Sequence, residues 1–147
     1  MVNRTDPRLR AAELTEEEFL GTIERHSDTA VNLLDAYREG RSLWARLPDM
    51  PLMEPHDGYS LRYDSCSQSR LVFLVCNDEL MGVYHDDNFA MDPATPVKGL
   101  SHELILAAFA QVPWKNIPNR KVTNAGETAL RRAHKIVRDI VRKLEGE

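Results

Sequence analysis

Apolar and polar positions along this chain switch between two periods, and the switch marks its elements. The clearest stretch is Arg70 to His85, R-L-V-F-L-V-C-N-D-E-L-M-G-V-Y-H. Two apolar runs rich in β-branched and aromatic residues flank Asn77-Asp78, a turn signal, which predicts a β-hairpin. Leu71 to Cys76 is apolar at every position, so it is expected to be the central strand, covered on both faces. Leu80 to His85 is its partner, and the alternating Tyr59-Ser-Leu-Arg-Tyr63 is a half-buried third strand. After His85 the acidic Asp86-Asp87 is expected to leave the sheet, with Phe89 and Met91 tucking back over an edge.

Helical spacing dominates elsewhere. Residues 1–14 read as a charged, flexible lead-in. Thr15 and Glu18 have capping-box spacing, and Glu16 to Glu18 suit the positive end of a helix dipole, so a helix is predicted from there to about His26. Asp28 can cap a second helix, with the stripe Leu33, Tyr37, Gly40, Trp44, Leu47 stepping by four and three; Gly40 can end it, and Ser42 then caps a short extra turn that Pro48 stops. Leu47 to Gly58, with three prolines, is a stiff connector. Ser101 caps a helix to about Val112, apolar nearly all round and so deeply buried. Pro113 to Lys121 is irregular, and a last helix runs from about Asn124 to Leu144. The expectation is a single α+β domain over 1–147: a small three-stranded antiparallel sheet packed with two N-terminal and two C-terminal helices.

Size and composition agree with this. A chain of 147 residues buries roughly 70% of its unfolded surface, enough for a core without metal or disulfide. Two cysteines do not make a disulfide framework: Cys76 lies in the apolar strand and Cys66 in a loop. The first ten residues hold no apolar signal region, and the longest apolar run, Leu104 to Ala110, is too short to span a bilayer. A cytoplasmic protein with no membrane contact is expected, with no cofactor.

The net charge of −4 conceals a split. Lys115 to Lys143 carries nine Lys/Arg against two acids, whereas residues 1–114 carry ten against nineteen. In the last helix Leu130, Ala133, Val137, Ile140 and Leu144 define an apolar face, and Arg131, Arg132, Lys135, Arg138 and Arg142 fall on the opposite half. Such a row can neutralise phosphates and release counterions without reading sequence. Trp114, Lys115, Arg120 and Lys121 just upstream have the composition of a stacking platform beside cations. Nucleic acid, an acidic protein surface, a second copy in a homodimer, or plain solvent all fit this face. The apolar face has a heptad-like step and can form a dimer seam or pack on the sheet or the second helix.

Three imidazole–carboxylate neighbours are the candidates for chemistry: His56-Asp57, His85-Asp86-Asp87 and His102-Glu103. His85 and Asp87 share a face if the strand continues, which suits acid–base work in a small hydrolase or nuclease, with Arg70 nearby. No H-E-x-x-H, C-x-x-C, P-loop or G-x-S-x-G pattern is present, so no metal site is predicted. Gly58 to Arg62, Arg70 to Phe73, the turn Asn77-Asp78-Glu79 and His85 resemble the sheet of ribosome-dependent mRNA-interferase toxins of the RelE superfamily. That resemblance implies RNA cleavage at the 2′-OH, with Arg62, Arg70 and His85 as the residues to suspect. It covers about 28 residues of largely generic hairpin; those toxins are basic and end soon after the sheet, whereas 62 residues follow His85 here. The leading expectation is a non-enzymatic binding or adaptor protein working through the basic last helix and the adjoining loop; the enzyme is the alternative.

Overall fold

Asn77 and Asp78 both adopt positive φ, 49° and 68°, the conformation of a two-residue hairpin turn whose twist matches that of its strands. A computed structural model describes residues 4–25, 29–39, 44–64, 71–85, 88–92, 99–111 and 119–146. Around this turn it builds a sheet of five antiparallel strands in sequence order: β2 (Asp49–Met50), β3 (Tyr59–Tyr63), β4 (Val72–Cys76), β5 (Glu79–His85) and β6 (Asn88–Met91). The expected three-stranded sheet is therefore too small. The two additional strands are its edges. β2 has two residues beside Pro48 and Pro51, too few to show a period. β6 is the Phe89–Met91 region, which pairs with β5 from His85–Asn88 to Gly82–Met91 instead of merely covering it.

β4 lies at the centre and is buried on both faces, as its unbroken apolar run predicts. Val72 and Leu74 join one core, and Phe73 and Val75 join another. A bulge in the β4–β5 pairing skips Met81, so Leu80 and Val83 both face the second core. That second core is closed by helix α2 (Thr29–Arg38), which contributes Leu34. Arg38 fastens α2 by donating to the Leu80 carbonyl at 2.9 Å and pairing with Asp92.

The opposite face of the sheet carries helix α3 (Ser101–Gln111), whose residues Leu104 to Ala108 are wholly buried. The last helix, α4 (Asn124–Glu145), does not lie on the sheet. Its apolar face, with Leu130, Ala133 and Val137 inaccessible to solvent, packs on α3 and on two N-terminal elements. The first is a 3-10 helix, Pro7–Glu13, capped by Asp6, which buries Arg8, Leu9 and Ala11. Leu9 and Ala11, within the stretch expected to be a lead-in, thus belong to the core. Arg8 enters it by pairing with Asp6 at 2.6 Å and donating to the Pro51 carbonyl at 2.8 Å.

The second N-terminal element is α1 (Glu16–Leu20), which opens with the predicted capping box of Thr15 and Glu18. It stops well short of His26. Gly21 takes φ +69° and its N–H caps the Glu17 carbonyl, a termination that favours glycine. Thr22–Arg25 then forms strand β1, paired in parallel with β7 (Asn119–Val122). Among the described residues no helix is long and apolar enough to cross a membrane.

Candidate nucleic-acid interface

Thr123 caps α4, accepting the Gly126 N–H at 3.1 Å, and the helix then runs 22 residues to Glu145. With one face sealed against α3, the opposite face is held outward. Arg131, Lys135, Arg138 and Arg142 step along it by four, three and four, which keeps all four within an arc of about 60°. At 1.5 Å per residue the row is straight and about 16 Å long. All four residues, and Arg132 beside them, are exposed. The row borders an open depression between α1 and α4 that also includes Glu16, Thr128, His134 and Asp139.

The cations are not equivalent. Arg131 is held at both edges of its guanidinium: Nε faces Glu127 at 3.4 Å and Nη1 pairs with Glu16 of α1. Arg142 meets Asp139 at a looser 3.8 Å, with its side chain 69% exposed. The guanidinium of Arg132, an exposed residue, lies close to Gly99, just ahead of α3. Gly99 has φ +78°, a conformation that favours glycine, and a Cβ on it would fall 2.7 Å from Arg132 Nη2, so a larger residue would also displace the guanidinium. Among the described residues, Arg132, Lys135 and Arg138 have no carboxylate partner. His134 is structural: its Nε2 lies 2.7 Å from the Leu14 carbonyl and its ring leans on Phe19. A carbonyl only accepts, so that nitrogen carries the proton.

The upstream part of the expected surface does not join the row. Arg120 is buried: its guanidinium donates to the Leu20 carbonyl at 2.8 Å, the Phe19 carbonyl at 3.1 Å and the Tyr84 hydroxyl at 2.8 Å. It is a structural clamp between α1 and β5, and placing it on a surface platform is corrected on that ground. Lys121 contributes backbone to β7 opposite Glu24. Trp114 and Lys115 lie outside the described residues.

The candidates for chemistry are dispersed. His85 Nδ1 meets the Tyr37 hydroxyl of α2 at 3.1 Å, and burial pushes the Tyr37 phenol up from 10.0, so the phenol keeps its proton. Asp87 and Arg70 lie outside the described residues. Arg62, suspected from the toxin resemblance, pairs with Asp49 at 2.7 Å and donates to the Leu47 carbonyl at 3.0 Å, holding β2 to β3. His56 stands edge-on to Tyr59. His102 and Glu103 do touch, at 3.5 Å, but at the buried start of α3, with the sheet between them and the α2 side where His85 sits. Glu103 is fully buried, and its oxygens accept the backbone N–H groups of Met53 and Glu54 at 2.8 and 3.0 Å. Burial pushes this carboxyl up, but the bonds from His102, Met53 and Glu54 outweigh burial and hold its pKa below 4.5. Among the described residues no three His, Cys, Asp or Glu side chains group as a metal site. Cys76 is a free, half-buried thiol.

Two of these features lay beyond sequence reasoning. The pairing of Glu16 with Arg131 joins residues 115 apart, and its only local signal is the acidic first turn of α1. The seat of Arg132 on Gly99 has none. No family model, curated protein or solved structure matches the chain.

Proposed function

We propose that this protein is a non-enzymatic nucleic-acid-binding protein that grips phosphates with the exposed face of α4. The observation that carries the reading is the straight row Arg131, Lys135, Arg138, Arg142 with Arg132 at its side, three of these five cations having no acid partner among the described residues. A row of about 16 Å spans several phosphates of a strand that rises about 3.4 Å per nucleotide. It is too long for a single small anion.

An acidic protein partner is supported less well. Leu130, Ala133, Val137, Ile140, Val141 and Leu144 of α4 pack into or against the core, so their apolar face does not accompany the row. An acidic helix would gain only exposed ion pairs, each worth about 0–1 kcal/mol, whereas nucleic acid also releases condensed counterions. The depression holds no Phe, Tyr or Trp side chain among the described residues, and the ring of His134 is buried against Phe19, which favours backbone contact over base stacking. Binding is therefore expected to tolerate any sequence. Fluorescence anisotropy of labelled RNA and DNA tests this. Lys135→Glu with Arg138→Glu should weaken binding about ten- to a hundred-fold, whereas unchanged binding would refute the assignment to α4.

A further inference from the structure

Resting on that reading, we infer that Glu16 is a built-in counter-ion of the α4 row: it occupies the phosphate position at Arg131 and sets how many phosphates the protein engages. The row already carries an anion in the structure, and that anion is delivered by a different element. Thr15 and Glu18 lock the first turn of α1 through their reciprocal bonds, at 2.9 and 3.1 Å. The turn thereby projects Glu16 into the depression beside Thr128, Arg131 and Lys135, and its carboxylate pairs with Arg131 Nη1.

The geometry places this contact where a phosphate would otherwise sit. Glu127, one turn back on the same helix, takes only the Nε edge of Arg131, at 3.4 Å. The outer edge is the one Glu16 holds, and it is the edge a docking phosphate would need. Both partners are about half exposed, 50% for Arg131 and 47% for Glu16, so the pair adds little to the stability of the fold and lies where a docking strand would pass. The protein at rest therefore presents Arg132, Lys135, Arg138 and Arg142 and keeps Arg131 neutralised. α1 acts as an internal competitor that lowers affinity and shortens the footprint.

The test is a mutant cycle on binding of fluorescently labelled oligothymidylate, titrated between about 50 and 200 mM salt. Glu16→Gln removes the counter-ion and spares the Thr15–Glu18 box. It should tighten binding about two- to five-fold and steepen the slope of log K against log salt by about 0.7, one single-strand phosphate. Arg131→Gln alone should leave the slope unchanged, and in the Glu16→Gln background it should cancel the gain. Lys135→Gln with Arg138→Gln is the control for the site itself. If that control weakens binding and Glu16→Gln changes neither affinity nor slope, the counter-ion role is overturned and the α4 site stands. An Arg131→Gln variant that flattens the slope by itself overturns the inference too, because Arg131 would then already hold a phosphate. A control without effect, or a wild-type protein that does not bind, overturns the site and the inference together.

Discussion

The Glu103 carboxylate, on α3, accepts the Met53 N–H at 2.8 Å across 50 residues of chain. It takes the Glu54 N–H with its other oxygen. One buried side chain thus fastens the proline-rich connector to the start of α3. A carboxylate whose folded pKa is depressed stabilises the fold above its unfolded pKa, near 4.5 here, and the benefit is lost as pH falls through the lower folded value. Asp6, partly buried but held down by its bonds to Arg8, acts in the same direction. Unfolding should therefore become easier as pH drops below about 4.5. Glu103→Gln should cost about 1–3 kcal/mol near neutrality, since an amide NH2 must then face a backbone N–H. The variant's acid limb should be flatter than the wild type's. Chemical denaturation across pH reads both effects, and an acid limb identical to the wild type's would contradict the assignment.

Arg120 tests whether sequence-local charge belongs to the binding face. Its guanidinium serves two buried carbonyls and the Tyr84 hydroxyl, and it also sits 5.9 Å from the Tyr84 ring centroid. Arg120→Met strands those groups and should cost roughly 3 kcal/mol or more. The salt dependence of nucleic-acid binding, measured where the variant remains folded, should stay that of the wild type. A stable variant with a flattened slope would return Arg120 to the interface.

His85 separates binding from catalysis. Its contact with Tyr37 joins β5 to α2, so His85→Ala should lower stability by about 0.5–1.5 kcal/mol and leave nucleic-acid affinity unchanged. Because burial raises the Tyr37 phenol, this tyrosine should ionise above 10.0 in an ultraviolet titration. A nuclease would behave differently: labelled RNA would shorten with time, and His85→Ala would abolish the cleavage at unchanged stability.

Short-range chemistry was legible in the chain. The Asn77-Asp78 turn, the Thr15–Glu18 box and the starts of α3 and α4 each depend on a few adjacent residues, and the burial of β4 on both faces on a single apolar run. What escaped depends on partners distant in sequence. The parallel pair β1–β7 joins Thr22 to Asn119, and no local period encodes a parallel partner. Phe19, Leu20 and Ile23 suit a helix that continues, and only the Gly21 backbone stops it. Arg8 and Arg120 read as surface cations because charge signals exposure unless buried acceptors are known. The α4 row was visible from spacing alone. The loss of Arg131 from it was not, because Glu16 reaches it from another helix.

The central claim is that α4 holds phosphates, and the salt dependence of wild-type binding to a single-stranded oligonucleotide tests it most directly. Arg132, Lys135, Arg138 and Arg142 provide three to four contacts, so log K should fall against log salt with a slope of about −2 to −3. Changing the oligonucleotide's sequence should leave that slope in place. Absence of binding at low salt, or binding that salt does not weaken, would contradict the account.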